Sequence, residues 1–255
     1  HIGTTIFSKM SQLAIQHQAI NLAQGFPDFE TDQELKKLIG LHSHNNHNQY
    51  AGMLGVEKLR QNIARKIENA HQIEVNSETE ITLTAGATQA IFTVIATLIS
   101  PGDEVIIIEP AYDSYQPSVE IFGGIVIPIQ THFPDYEINW DELEAKITDK
   151  TRLIIINNPN NPSTKILKPT DIDALAKIVQ DKEIYILSDD VYENIVFDDL
   201  AFSPLYKHPT LKEKTFCVAS FGKLFHITGW KVGYCFASEK LTTEFRKVHQ
   251  FNVFS

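Results

Sequence analysis

The chain has 255 residues, 43% of them hydrophobic and 21% charged, and a formal charge of -10 at pH 7. That length admits one large domain or two small ones. No apolar run approaches the roughly 20 residues of a membrane span, and the acidic balance, with no concentrated block of Lys and Arg, argues against nucleic acid as a partner.

In chain order, the first part, up to about residue 75, differs from the rest. The start lacks the basic-then-apolar pattern of a signal peptide, so a cytoplasmic protein is the expectation. "NLAQGFPDFET" (21–31) is punctuated by Gly and Pro and reads as loop. A helical stretch follows, then the His-rich "LHSHNNHNQYAG" (41–52). Without a carboxylate or Cys at ligand spacing, this reads as a solvated loop and not as a metal site.

From residue 80 onward, runs rich in Ile and Val alternate with segments of helical period, the pattern of a parallel sheet flanked by helices. The predicted strands are "EITLT" (80–84), "EVIIIE" (104–109), "GIVIPI" (124–129), "RLIIIN" (152–157), "EIYILS" (183–188), "TFCVAS" (215–220) and "VGYCFA" (232–237). Between them, 88–100 and 169–180 read as helices, the second with Thr170 and Asp171 placed to cap its start. Cys217 and Cys235 lie in apolar strand-like runs and read as reduced core residues. In "LTTEFRKVHQFNVF" the residues Leu241, Phe245, Val248 and Phe251 recur at helical spacing with no stop signal after them, so the sequence is expected to end partway through a larger protein.

Near-continuous apolar strands imply a sheet covered on both faces, and such sheets bind ligands beyond the carboxyl ends of their strands. Gly86-Ala87-Thr88, Pro110-Ala111-Tyr112, Asn158 to Asn161, Asp189 to Tyr192, and Lys223 all fall there. Lys223 is the unusual member, a charged side chain in "SFGKLFHITGW" (220–230), which otherwise reads as buried. It could simply snorkel to water. A lysine kept for its chemistry would instead form a Schiff base with an aldehyde once burial or a nearby cation lowers its pKa.

Pyridoxal 5'-phosphate is the commonest such aldehyde, and its other needs can each be met. Asp189 could hold the protonated pyridine nitrogen that makes the ring an electron sink, with Asp190 as the competing carboxylate. The turn into a helix at "TAGATQAI" (84–91) offers unpaired N–H groups to a phosphate, and Ser220 and Lys231 could complete that cradle. Asn161 and Tyr192 can donate to the phenolate oxygen, and Tyr112 offers a stacking face.

These residues carry a resemblance. "NNPNNPS" (157–163), "SDDVYE" (188–193) and "SFGKLFHITGWKVGY" (220–234), with "LAQGFPDF" (22–29), "NQYAGMLGVEKLR" (48–60) and "TAGATQAI", closely resemble the class I/II aminotransferases of pyridoxal phosphate fold type I. The likeness runs over nearly the whole chain and is nearest the branch of methionine, kynurenine and glutamine (phenylpyruvate) aminotransferases. It implies an α/β fold with a mostly parallel sheet, residues 1–40 contributing to the substrate site and small domain, 41–255 forming the large cofactor domain, and a C-terminal small domain absent from the chain. It further implies that Lys223 carries the cofactor as its internal aldimine and moves the proton, and that Asp189 pairs with the pyridinium. Asn161 and Tyr192 would meet the phenolate oxygen, Tyr112 would stack, and Ala87, Thr88, Ser220 and Lys231 would bind phosphate. Tyr50 would reach a phosphate across a homodimer interface, and Gly25 would lie beside the substrate carboxylate, with Asn161. Phe26, Tyr50 and Tyr112 could line an apolar substrate pocket.

Two departures stand out. Ser163 and Thr164 occupy positions where the family commonly has Thr or Leu and then Gly. The arginine that forks the substrate carboxylate has no match among Arg60, Arg65, Arg152 and Arg246, so these 255 residues alone are expected to turn over little. The pattern Ser-x-x-Lys at 220–223 also occurs in serine β-lactamases, but there the serine opens a helix, whereas Ser220 is predicted to end a strand. No GxGxxG follows the first strand, which disfavours a dinucleotide enzyme. A carbon–sulfur β-lyase on the same fold is the enzymatic rival. A non-catalytic regulator is a further alternative, weakened by the presence of Lys223.

Overall fold

A computed structural model describes residues 4–25, 29–45 and 47–253. Its centre is one seven-stranded sheet: β1 (Ile81–Thr84), β2 (Glu104–Glu109), β3 (Ile125–Gln130), β4 (Thr151–Asn157), β5 (Tyr185–Asp189), β6 (Thr215–Ser220) and β7 (Gly233–Phe236), in the order β1-β7-β6-β5-β4-β2-β3. The β2–β3, β2–β4, β4–β5 and β5–β6 pairs are parallel, and β7 alone runs against its neighbours β6 and β1. All seven strands were predictable within a residue or two, and the mostly parallel sheet stands, with β7 as the reversed strand.

The helices are α1 (Ile6–Gln16), α2 (Gln33–Ser43), α3 (Glu57–His71), α4 (Gly86–Leu98), α5 (Tyr115–Ile121), α6 (Trp140–Ala145), α7 (Pro169–Val179), α8 (Pro209–Lys212), α9 (Phe221–Leu224) and α10 (Glu239–Asn252). Because successive strand residues alternate faces, Val105, Ile107, Leu153, Ile155, Leu187 and Val218 pack with α4, α5 and α10. Ile106, Ile108, Ile154, Ile156 and Ile186 pack on the opposite face with α6 and α7. A third cluster joins Ile63 and Ile67 of α3 to β1, β6 and β7. Cys217 and Cys235 are free and buried, as expected, in different clusters.

Three local expectations are corrected. The cap of α7 is Lys168, whose N–H donates to Asp171 Oδ2 at 2.7 Å; Thr170 is not the cap, because Pro169 fixes the first helical position. In α10 the buried stripe is Leu241, Phe245 and His249, whereas Phe251 is 84% exposed, because the helix turns its i, i+4, i+8 row toward the sheet. The segment 41–52 begins inside α2 and is not all loop.

Helices α1 and α2 bury none of their residues. The N-terminal segment nonetheless meets the loop after α9: Thr31 Oγ1 donates to the His226 carbonyl at 2.8 Å, and the rings of Phe29 and His226 stack at 4.6 Å. Among the described residues no helix is long and apolar enough to cross a membrane.

Candidate active site

The parallel registers bring the carboxyl ends of β4, β5 and β6 side by side, with Asn157 opposite Asp189 and Asp189 opposite Val218. The chain must leave each strand there, so polar groups collect at one edge. Asn157 Nδ2 and the Asn158 N–H both donate to the Asp189 carbonyl, at 2.8 and 3.1 Å, and Asn157 Oδ1 accepts the Asn161 N–H at 2.7 Å. One asparagine side chain thereby fixes the loop of Asn161 to the turn of Asp189.

Asp189 is buried and accepts a hydrogen bond of 2.6 Å from the hydroxyl of Tyr115, itself buried on α5. Burial pushes the Asp189 carboxyl up to about 6, against the lowering pull of Tyr115, the Val191 N–H and the Lys223 charge. Lys223 is exposed overall, and Phe225 beside it is 49% exposed, so the expectation of a buried stretch fails: α9 is a single turn on the sheet edge. Even so, crowding around its ammonium holds Lys223 below the usual lysine range; Asp189 opposes that shift and Lys231 adds to it.

Lys223 Nζ lies 5.5 Å from the centre of the Tyr192 ring, and Tyr192 is hydrogen-bonded by the Asn161 side chain. Burial raises the Tyr192 hydroxyl above its ordinary value. Tyr112 stands edge-on to Tyr115, ring centres 5.6 Å apart, and its hydroxyl bonds Thr88 in the first turn of α4. These residues form two adjoining groups, Thr88, Tyr112, Tyr115 and Asp189 in one and Lys223, Tyr192 and Asn161 in the other, and the charges of Asp189 and Lys223 act on each other between them. Asp190 belongs to neither: its Oδ1 accepts the Ser188 hydroxyl at 2.6 Å, and it interacts with Glu193 and Lys66 on the other side of the turn.

Beside this set lies the start of α4, which has no side-chain cap and no acidic residue in its first turn. Its N–H groups are of the kind that hold anions. Gly86 opens it at φ +78°, a conformation that suits glycine, and a Cβ there would meet Lys231 Cε at 3.2 Å and Nζ at 3.3 Å. Gly233 is register partner of both Thr84 and Ser220, and a Cβ on it would lie 2.8 to 2.9 Å from Ala219 O, Gly86 C and Ala87 N. Glycine at that position lets β7 draw the turn of Ala87, the strand end of Ser220 and the ammonium of Lys231 together. Ser220 Oγ also accepts the Gly222 N–H at 3.0 Å, starting α9. Gly233→Ala is expected to force the two backbones apart, costing about 1–3 kcal/mol of stability; thermal unfolding would show it, and a phosphate titration should weaken in parallel.

The donor set fits pyridoxal 5'-phosphate: an uncapped helix start with an ammonium for the phosphate, a buried carboxylate for the ring nitrogen, and a lysine of lowered pKa between them.

Two predicted residues are not gathered in. Gly25 is exposed, with no atom of the described residues within 4 Å of a Cβ placed on it, and Tyr50 is 83% exposed. Phe26 lies outside the described residues. Tyr115 is not singled out by the sequence; Tyr112 lies in the turn before α5 and Tyr115 opens the helix, and only the fold brings Tyr115 to Asp189. The four arginines are engaged elsewhere: Arg60 with Glu78 at 2.7 Å, Arg65 with Asn62, Arg152 with Asp103 at 3.6 Å, and Arg246 with the Ile81 carbonyl at 2.7 Å.

The sheet order and the lysine at its carboxyl edge are those of the pyridoxal phosphate-dependent transferases of fold type I. Within that class the chain belongs to the family "Aminotransferase class I and II", which it matches over residues 17–255. It is 45% identical to methionine aminotransferase of Escherichia coli (strain K12), covering 100% of this chain and 66% of that protein. It is 34% identical to kynurenine–oxoglutarate transaminase of Dictyostelium discoideum, covering 99% of this chain and 62% of that one. A crystal structure of the E. coli methionine aminotransferase superposes with a TM-score of 0.95 at 44% identity, over 100% of this chain and 68% of that one. N-succinyldiaminopimelate aminotransferase from Mycobacterium tuberculosis superposes equally, at 0.95 and 33% identity, over 99% and 66%. The chain thus spans about two thirds of the relatives it matches.

Proposed function

We propose that the protein is a pyridoxal 5'-phosphate-dependent aminotransferase, moving the amino group of a methionine, glutamine or aromatic type of amino acid to a 2-oxo acid. The observation that carries this reading is the buried Asp189 carboxyl, held by Tyr115 and within the electrostatic reach of Lys223. The bound cofactor supplies an electron sink for the pair left when the substrate α-proton departs.

Every other part of the reaction falls to the chain. Lys223 would be the group that holds the cofactor covalently and carries the substrate α-proton, and the burial that lowers its pKa favours both roles. Asp189 would pair with the pyridine nitrogen and favour its protonated form. The Tyr192 hydroxyl and the Asn161 amide would donate to the phenolate oxygen, Asn161 would also lie beside the substrate, and Tyr112 would stack on the ring. The Ala87 and Thr88 N–H groups, with Ser220 and Lys231, would bind the phosphate.

In the whole protein we place Tyr50 at the phosphate of a partner subunit in a homodimer and Gly25 beside the substrate carboxylate; the exposure of both is consistent with groups covered only in an assembly. Residues 1–40 would serve the substrate site and small domain, 41–255 the cofactor domain, and the carboxylate clamp is not one of this chain's four arginines. The resemblance to E. coli methionine aminotransferase supports methionine as donor.

The test is the visible spectrum of the purified protein with pyridoxal phosphate, before and after methionine. The band is expected to convert to that of the aminated cofactor and return on adding a 2-oxo acid. Release of pyruvate and ammonia from cysteine conjugates without that conversion would favour the β-lyase instead.

A further inference from the structure

The turn after β5 has two sides. Asp189 and Tyr192 face Lys223, while Asp190 and Glu193 face α3. The Glu193 carboxylate accepts from Lys66 Nζ and, at 3.0 Å, from His71 Nε2, and its side chain is only 11% exposed. Lys66 also donates to the Tyr234 hydroxyl at 3.2 Å. Burial alone would raise the Glu193 carboxyl; the His71 hydrogen bond and the Lys66 charge outweigh it and hold the group below its ordinary value. The other titratable groups near it are Asp190 on its own turn, Tyr234 of β7 and Cys217 of β6.

The start of this turn is tied to the sheet, through the Asp190 N–H to the Val218 carbonyl at 2.8 Å and the Val191 N–H to Asp189 Oδ1 at 3.4 Å. From Tyr192 on, the backbone bonds are local, Glu193 N–H to the Asp190 carbonyl at 3.0 Å and Ile195 N–H to the Tyr192 carbonyl at 2.8 Å, and the Glu193 side chain is the tie to α3. Downstream, Ile195, Phe197 and Leu200 are exposed, and the next helical turn starts at Leu205. Tyr192 is the residue immediately before Glu193, so the place of its hydroxyl depends on where the Glu193 side chain is tied.

We infer that Glu193, clamped to α3 by Lys66 and His71, is the positioning residue that sets Tyr192 against Lys223. The inference rests on the aminotransferase reading above, because it concerns how the Tyr192 hydroxyl is held at the cofactor's phenolate oxygen. Donors there favour the ionised form of that oxygen, so their displacement raises the pH at which the bound chromophore titrates.

The experiment compares the pH midpoint of the visible band of pyridoxal phosphate bound to the wild-type protein with those of Glu193→Gln and Lys66→Met. These two variants remove charges of opposite sign. Loss of positioning raises both midpoints, by about one unit, the equivalent of one lost hydrogen bond; a through-space charge effect would move them in opposite directions and overturn the inference. Glu78→Gln, which breaks the other ion pair of α3, serves as the matched control and is expected to lower thermal stability while leaving the midpoint in place. Equal midpoints in wild type and Glu193→Gln would also overturn the inference while leaving the aminotransferase reading intact. A wild-type protein with no cofactor band would remove both. Should Glu193→Gln fail to fold, Glu193→Asp takes its place: it keeps the charge but shortens the reach to Lys66 and His71, so a raised midpoint reports lost positioning and an unchanged one overturns the inference.

Discussion

In the whole protein, Lys223→Ala is expected to abolish turnover, by at least about 10⁴-fold, while leaving the fold and thermal stability nearly unchanged. The two halves of that expectation have separate causes. Lys223 is exposed, sits in a one-turn helix and makes no ion pair among the described residues, so its removal falls among surface substitutions worth about ±0.5 kcal/mol. Its chemistry has no substitute nearby. Lys231 is the other ammonium at this edge, but it lies over Gly86 at the start of α4, where its charge serves the phosphate. Loss of a positioned proton carrier alone costs up to about 10⁴-fold, and loss of the covalent hold on the cofactor adds to it. Borohydride reduction followed by peptide mass mapping would check the assignment: the wild type should carry the cofactor mass on the peptide containing Lys223, and the variant should carry it nowhere. A variant retaining more than about a hundredth of wild-type turnover would place the proton carrier elsewhere, contrary to the range for such groups.

How much of this was legible in the sequence follows from the range of the interactions. The strands announced themselves because a sheet buried on both faces demands uninterrupted Ile and Val, as in "RLIIIN" and "EVIIIE". The edge residues followed from where those strands end. What escaped was decided by contacts between segments far apart in sequence. The bond from Tyr115 to Asp189 spans 74 residues and the pairing of Lys66 with Glu193 spans 127, and no local period records either. The reversal of β7 was invisible for the same reason: strand direction is a property of the connection, and the short link from α9 to β7 has no room for a crossover helix. The burial of His249 in place of Phe251 shows the complementary failure, in which hydrophobic spacing named a helix face that tertiary packing then rotated by part of a turn.

The second large effect falls on Asp189, and it has opposite signs with and without cofactor. In the cofactor-free protein the Asp189 carboxyl is raised from 3.8 to about 6, chiefly by burial. A carboxyl raised in the folded state prefers its proton there, so its contribution to stability is fully present below about pH 4 and is lost as pH rises through about 6. A shift of about two units amounts to about 3 kcal/mol at most, borne by the empty protein at neutral pH. Asparagine keeps the shape and the acceptor for the Tyr115 hydroxyl but cannot ionise. Cofactor-free Asp189→Asn is therefore expected to be more stable than wild type at pH 7.5, by several degrees in Tm, with the advantage gone by pH 4, where both side chains are neutral. With pyridoxal phosphate the order reverses. A pyridinium cation beside the carboxylate compensates the buried charge, so the wild type gains from the cofactor what the empty protein lacks, and turnover of the asparagine variant should fall by at least about 10²-fold as the electron sink weakens. Melting curves at pH 4, 6 and 7.5, with and without cofactor, test both halves. An empty variant less stable than wild type at pH 7.5 would mean that Asp189 is stabilised as an anion by groups other than those around it here, and the case for a site built to receive a cation would go with it.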